Sequence, residues 1–171
     1  MRLDLSHIQR WIDPGSRVLD LGCGDGVFLE SLRDQRQVRG TGLEIDREYI
    51  TAAIARGINV VEQNNYPDRV LEEMLRIGRE GIVTFPNFGH WRCRLMLGIG
   101  GHMPISKLMP YTWYNTPNIH FCTVKDFEEL CQEKGIRILA RDVVGNTRPT
   151  PLLSNKWPNL FATTAIYRIT R

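Results

Sequence analysis

Apolar residues occur along this chain in two spacings, and their alternation predicts strands and helices in turn. Short apolar runs bounded by polar residues or glycine predict strands, whereas apolar residues every three or four positions predict helices. The predicted strands lie at about Val18–Leu21, Val38–Glu44, Ile58–Glu62, Gly81–Phe85, Ile136–Val144 and Phe161–Ile169. Strands that alternate with helices form a parallel sheet covered on both faces, so the pattern predicts an α/β fold.

End signals place the helices between these strands. Asp46 is a natural N-cap, and Thr123 with Asp126 has the spacing of a capping box. Residues 95–109 show neither helical nor strand period, so the middle of the chain is predicted to be irregular. The predicted helices cover about Leu5–Ile12, a segment from Val27, a segment from Asp46 to Gly57, a segment from Pro67 through Leu75, and a segment from Thr123 to Gly135.

The stretch from 17 to 26, Arg-Val-Leu-Asp-Leu-Gly-Cys-Gly-Asp-Gly, is the most informative about function. A strand ends there in Gly22, Gly24 and Gly26, and a helix begins at once. Glycines at such a turn let the backbone approach a ligand closely, and the helix N-terminus presents free N–H groups. Glu44 ends the next strand, where a carboxylate can accept hydrogen bonds from ribose hydroxyls. Together these features predict a nucleoside pocket.

Asp20 distinguishes between two classes of nucleoside ligand. A dinucleotide fingerprint has the form G-x-G-x-x-G after an apolar strand. Here an acid lies two residues before the first glycine, and the third glycine comes one position early. A carboxylate repels a pyrophosphate but suits a sulfonium or ammonium charge, which favours S-adenosylmethionine over NAD. The predicted cofactor-binding residues are Asp20, Gly22, Cys23, Gly24, Gly26, Glu44 and Ile45.

These motifs resemble those of the class I S-adenosylmethionine-dependent methyltransferases: Val18–Gly26 is similar to their first motif and Gly42–Glu44 to their second. Farther along, Asn65–Arg76, Gly81–Arg94 and Pro110–Thr123 are similar to the bacterial methionine biosynthesis protein MetW family. The resemblance implies a Rossmann-like, doubly wound, mostly parallel sheet whose last strand is antiparallel. It also implies S-adenosylmethionine or S-adenosylhomocysteine as ligand, and a MetX-type homoserine O-acyltransferase as partner.

The fourth strand of that family's sheet is absent from this sequence. The third predicted strand ends near Gln63 and the next helix begins near Pro67, and three linking residues span at most about 10 Å. Crossing to the far half of the sheet would require passing several strands about 4.8 Å apart. Either about 25–30 residues are omitted between Glu62 and Tyr66, or the protein has a true deletion. Omission is favoured, because a missing central strand leaves two unpaired edges in the core.

Composition predicts one domain over residues 1–171, because a chain with 42% hydrophobic and 24% charged residues can bury one substantial core. No apolar run approaches the ~20 residues of a membrane span, and acids near the N-terminus do not fit a signal peptide. Four cysteines without C-x-x-C spacing predict free thiols in a cytoplasmic protein and no metal site. A net charge of +3 without a basic tract argues against a nucleic-acid partner.

The segment after Pro86 concentrates polar and aromatic side chains. They are Asn87, His90, Trp91, Arg92 and Arg94, followed by Trp113, Tyr114, Asn118 and His120. One interpretation is an acceptor pocket in which His90 or His120 is a general base. A second is an aromatic, polar plug whose histidines bond the backbone. A third is a protein-docking surface, because Trp, Tyr and Arg are typical interface anchors.

Two function classes remain open from the sequence. The resemblance favours a protein that keeps the methyltransferase fold and works as partner or activator of the acyltransferase. In that case S-adenosylmethionine, which derives from methionine, could couple the production of methionine to acyltransferase activity. The coupling would require that the ligand binds two states of the protein with different affinity. Trp91 and Arg92 are then expected to serve partner contact. The alternative is an S-adenosylmethionine-dependent methyltransferase of an unidentified small molecule.

Overall fold

The computed structural model describes residues 3–62, 70–105, 122–144 and 155–171. Helices and strands alternate over most of this length, as the hydrophobic pattern predicts. The strands are β1 (Arg17–Leu21), β2 (Arg39–Glu44), β3 (Asn59–Glu62), β4 (Glu80–Pro86), β5 (Arg137–Val144) and β6 (Thr164–Thr170). The helices are α1 (Leu3–Trp11), α2 (Val27–Arg36), α3 (Arg47–Ala55), α4 (Val70–Ile77), α5 (Trp91–Gly98), α6 (Val124–Glu133) and the short α7 (Pro158–Phe161).

The chain divides into two compact units, Met1–Val70 and Leu71–Arg171. In the first unit, β1, β2 and β3 form a parallel sheet in that order. The register places Asp20 of β1 beside Gly42 of β2. Because parallel strands end at the same edge of a sheet, the residues that follow β1 and β2 come together there.

Helix α2 buries its apolar stripe to form the core of the first unit. Leu29 and Leu32 are both fully buried, three positions apart, on one face of the helix. A Cβ atom at Gly40 would lie 2.9 Å from Leu29 Cδ2, so β2 and α2 pack closely because this strand residue has no side chain. The Arg36 guanidinium then donates a 2.8 Å hydrogen bond to Ile12 O, just beyond α1.

The second unit is built around β6, which pairs antiparallel with β4 on one side and β5 on the other. Ala165, Ile166, Tyr167 and Ile169 of this strand are fully buried. The Phe127 ring of α6 packs against Tyr167, with ring centroids 4.7 Å apart. Burial on both faces explains the unbroken apolar run Ala165–Tyr167 within β6. The antiparallel direction of the last strand is confirmed.

Most of the predicted elements are confirmed within a few residues. Asp46 caps α3 by accepting a hydrogen bond from Glu48 N at 2.8 Å. Both bonds of the capping box between Thr123 and Asp126 are present. The prediction of an irregular middle segment is wrong for Trp91–Gly98, which is helical. Its apolar and basic residues are spread around the helix instead of following one stripe, so periodicity could not reveal it.

The predicted absence of a fourth strand concerns residues 63–69, which lie outside the described part of the chain. Within that part, β1 is an edge strand of the first sheet and β4 is an edge strand of the second. Leu19 of β1 is 41% exposed, although parallel strands are normally covered. The single-domain prediction for residues 1–171 stays a prediction. No helix in the described ranges has the length and apolar character needed to cross a membrane.

Candidate cofactor site

The glycine loop between β1 and α2 forms a tight turn at the carboxyl edge of the parallel sheet. Gly22, Gly24 and Gly26 all have positive φ, at 79°, 55° and 79°. Residues other than glycine rarely adopt this backbone conformation, so the turn itself requires the alternating glycines. The loop is joined to β2, because Gly22 N and Cys23 N both donate to Leu43 O, at 2.8 and 3.0 Å.

Glu44 fixes this loop from the end of β2. Its Oε2 accepts a 2.7 Å hydrogen bond from Gly24 N. Its Oε1 accepts hydrogen bonds from Ile45 N and Asp46 N, at 2.8 and 3.2 Å. A carboxylate offers about four acceptor positions, so these bonds leave room for about one more donor. The structure thus brings Gly22, Gly24 and Glu44 together, as predicted.

Cys23 and Gly42 make the close contact between the loop and β2. Cys23 is buried, and a Cβ atom at Gly42 would overlap its Sγ. Burial, together with the negative charges of Asp20 and Glu44, raises the pKa of the Cys23 thiol to about 11. A thiol that stays protonated is a poor nucleophile, so Cys23 packs as a small apolar side chain.

The site is electronegative. Burial first, and then the negative charge of Glu44, raise the pKa of the Asp20 carboxyl above 3.8. Two acids close together at the edge of a sheet favour a ligand with positive charge over a pyrophosphate. Ile45 and Val61 lie at the ends of the neighbouring strands and are 49% and 51% exposed, so apolar surface is also available in this unit.

Asn87 has a structural role in the second unit. It is 1% exposed, and its Nδ2 donates to Ala162 O at 2.8 Å and to two further carbonyl groups around α7. Its Oδ1 accepts hydrogen bonds from Gly89 N and Val124 N, at 2.9 and 3.3 Å. A buried amide whose donors and acceptor are all satisfied holds the surrounding backbone in place.

His90 caps α5, because its Nδ1 accepts a hydrogen bond from Arg92 N at 3.3 Å. Burial, and then the positive charge of Arg92, lower the pKa of the imidazole. Because Nδ1 accepts this bond, the neutral ring carries its proton on Nε2, which is buried and has no hydrogen-bond partner among the described residues. In this tautomer Nε2 is a donor and not a base. His120, Trp113, Tyr114 and Asn118 lie outside the described residues.

The sequence profile of the family "Methionine biosynthesis protein MetW" matches this chain in two ranges, residues 2–66 and 62–169. A curated relative, the bifunctional methionine biosynthesis protein MetXA/MetW of Rhodopirellula baltica, is 30% identical over 203 aligned positions. These positions cover 97% of this chain and 32% of the relative, so the chain spans about a third of that protein. A second relative, the ribosomal protein L11 methyltransferase of Nitrosomonas europaea, is 36% identical over 72 residues, 41% of this chain and 21% of that protein.

Solved structures show the same fold at low sequence identity. An S-adenosylmethionine-dependent methyltransferase from Mesorhizobium loti has a TM-score of 0.62 and 15% identity, and the match covers 97% of this chain and 96% of that one. A methyltransferase from Thiobacillus denitrificans, in complex with S-adenosyl-L-homocysteine, has a TM-score of 0.61 and 11% identity, with 100% and 92% covered. At this identity the likeness establishes the class I methyltransferase fold.

Replacing Asp20 with Asn tests the electronegative character of the site. The raised pKa means that the folded state holds the Asp20 proton more tightly than the unfolded state does. The free energy of unfolding of the wild type therefore falls as pH rises from about 4 through the raised pKa. The decrease is about 1.4 kcal/mol for each unit by which folding raises the pKa of Asp20. Asp20→Asn removes this loss, so its stability advantage should widen between pH 4.5 and pH 7.5 in urea denaturation. The exposed Asp13→Asn is the control, and an advantage independent of pH would contradict the prediction.

Proposed function

We propose a function for this chain from its family, because it belongs to the methionine biosynthesis protein MetW family. In this proposal the protein binds S-adenosylmethionine and acts as partner of a MetX-type homoserine O-acyltransferase. The partner would supply activated homoserine for methionine synthesis. The protein's own ligand would report the level of a methionine product. The proposal includes a cytoplasmic location, in keeping with the free thiols of Cys23, Cys93, Cys122 and Cys131.

The observation that carries this proposal is the joined relative in Rhodopirellula baltica. That protein is named as a bifunctional MetXA/MetW, and this chain aligns with about a third of it. Joining two modules in one polypeptide keeps them at high effective concentration and makes their association intramolecular. Two modules that work together gain from this arrangement. Because this chain aligns with one part of the joined protein, we infer that it associates with an acyltransferase of the kind named for the other part.

The ligand proposal is supported by the glycine loop and its two acids. The alternating glycines turn the loop tightly into the start of α2, and Asp20 favours a sulfonium charge over a pyrophosphate. We propose Asp20, Gly22, Cys23, Gly24, Gly26, Glu44 and Ile45 as the residues around the ligand. Glu44 would accept a hydrogen bond from a ribose hydroxyl at its remaining acceptor position. The hydrogen bonds that its carboxylate accepts from Gly24 N and Ile45 N keep the loop in shape.

A second candidate function is methyl transfer from S-adenosylmethionine to an unidentified small molecule. The fold of the solved structures favours it, because they are named as S-adenosylmethionine-dependent methyltransferases. Acceptor activation usually requires a base or close positioning near the methyl group. His90 is committed to the start of α5 and carries its proton on Nε2, so it does not fill that role in this state. The partner function is preferred because the MetXA/MetW relative links this family to the acyltransferase.

We also propose that the natural protein contains a fourth strand between Glu62 and Tyr66. The two ranges matched by the family profile meet at residues 62–66. The alignment with the MetXA/MetW relative extends over 203 positions, whereas it includes only 97% of the 171 residues here, so the relative has additional residues within the aligned region. The open edge of β1 with exposed Leu19 is consistent with a missing neighbour. This segment would complete one wall of the ligand pocket.

Peptide mapping of the protein purified from its native cells distinguishes omission from deletion. Trypsin cleaves after Arg56 and Arg69, so with an additional segment of about 25–30 residues the tryptic peptide 57–69 of this sequence should be absent. Recovery of that peptide with the mass given by this sequence would establish a true deletion.

Glu44→Ala should weaken S-adenosylmethionine binding by about 1.5–3 kcal/mol, the scale of a charged hydrogen-bond acceptor. The variant loses the ribose acceptor and also releases Gly24 N, so S-adenosylhomocysteine should be affected as well. Isothermal calorimetry measures both ligands. Glu48→Ala, an exposed glutamate at the start of α3, is the matched control. Equal affinities for wild type and Glu44→Ala would refute the ribose role.

The partner function predicts that this protein changes the activity of the acyltransferase from the same organism. Pull-down should capture that enzyme, and its kcat/KM should rise when this protein is added and respond to S-adenosylmethionine. Wild-type protein that neither binds the enzyme nor alters its rate would refute the partner function. Conversion of S-adenosylmethionine to S-adenosylhomocysteine with a defined acceptor would establish methyl transfer instead.

A further inference from the structure

Helix α5 and the residues after it carry a concentration of exposed apolar side chains. Within the eleven residues from 95 to 105, five large apolar side chains are exposed: Leu95 (46%), Met96 (38%), Leu97 (47%), Ile99 (82%) and Ile105 (49%). Soluble proteins rarely leave contiguous apolar surface open without a binding role. We call these five residues, together with Arg92 and Arg94, the α5 surface.

The apolar residues of α5 do not form a core-facing stripe. Leu95, Met96 and Leu97 are consecutive, so their side chains point in three directions about 100° apart. Cys93 is the buried residue of the helix. Helix α5 buries one side chain and exposes leucine and methionine in several directions, whereas helix α6 of the same unit buries three side chains. Its apolar residues are explained if another molecule packs around it.

The charged side chains of the α5 surface, Arg92 and Arg94, are both positive. Between Glu80 and Asp126 the sequence contains no acidic residue, although the chain has 19 acids in 171 residues. Arg92 and Arg94 are both exposed on the helix. Arg92 lies over the Trp91 ring, with its guanidinium carbon 5.3 Å from the ring centroid. Such a surface is complementary to a partner with acidic side chains around an apolar centre.

A cavity adjoins this surface and has the same charge. It has a volume of about 480 Å³ and is lined by Arg94 and the segment 156–161. Lys156 Nζ lies 5.3 Å from the centroid of the Trp157 ring, and Trp157 is 51% exposed. The described residues of the lining include two cations, Arg94 and Lys156, and no acid. Tryptophan and arginine residues that become buried on binding supply much of the binding energy at protein interfaces. The cavity beside Arg94 and Trp157 can receive one side chain of a partner.

We propose that the α5 surface and its adjoining cavity are the docking site for the acyltransferase, which presents an apolar patch rimmed by aspartate or glutamate. This inference rests on the partner function proposed above and assigns it to a surface of the second unit. An acidic side chain of the enzyme enters the cavity between Arg94 and Lys156, and the apolar patch covers Leu95 and Ile99, which lie four positions apart on one face of the helix. A protein is the expected occupant and not a lipid surface, because the two exposed arginines of α5 lie among its apolar residues instead of forming a separate polar face.

The test compares two exposed isoleucines of the same unit. Ile99→Glu places a charge on the α5 surface, whereas the control Ile77→Glu places one on α4, where the isoleucine is 63% exposed. Surface plasmon resonance measures binding of each variant to the purified acyltransferase, after circular dichroism has shown that both are folded. Ile99→Glu should weaken binding at least tenfold, and Ile77→Glu by less than twofold. Equal affinities for the two variants would overturn the assignment of the surface.

A second pair tests the charge. Arg92→Glu should slow association with the acyltransferase and reduce its dependence on salt, whereas the exposed Arg79→Glu should not. Wild type that fails to bind the enzyme refutes the partner function, whereas wild-type binding that survives Ile99→Glu refutes only this surface. Two results would identify another occupant and overturn the proposal. They are self-association of wild type that Ile99→Glu abolishes, and wild-type binding to phosphatidylglycerol vesicles that Ile99→Glu abolishes.

Discussion

The carboxylate of Glu44 holds the candidate cofactor site in shape. Three backbone N–H groups converge on it, one from the glycine loop and two from the turn that begins α3. Leu43 O accepts the other backbone hydrogen bonds between the loop and β2, from Gly22 N and Cys23 N. Bonds to a charged acceptor are stronger than neutral ones, so one side chain determines how the ends of two strands face each other. Ligand recognition and loop structure are therefore coupled through the same residue.

A buried amide has the corresponding role in the second unit. Asn87 joins the end of β4 to the start of α6 and to the backbone around α7. These bonds hold the turn that leads into His90, the N-cap of α5. Helix α5 therefore has a fixed beginning, and its exposed side chains project from a rigid base. An interface that is ordered before binding loses less conformational entropy when the partner docks.

The two units have different surface chemistry. The edge of the parallel sheet in the first unit carries Asp20 and Glu44 and suits a small cationic ligand. The α5 surface in the second unit has arginine among exposed leucine and isoleucine and suits an acidic protein. Methyltransferase folds ordinarily use the ligand edge for chemistry. We propose that this protein acts by binding a partner, on the basis of its family relationship and the exposed α5 surface.

The sequence by itself determined the order of elements, the position of the glycine loop and the pairing of Glu44 with that loop. These features depend on local rules: period, capping residues and the need for glycine at positive φ. The sequence also suggested that residues 87–94 are chemically important. Local rules could not show whether these residues have a structural or a functional role. The structural role of Asn87 depends on contacts with distant segments, such as its hydrogen bond to Ala162 O. Only the tertiary structure decided which side chains stay exposed. The helical state of α5 and its open surface depend on packing that a periodic pattern does not record.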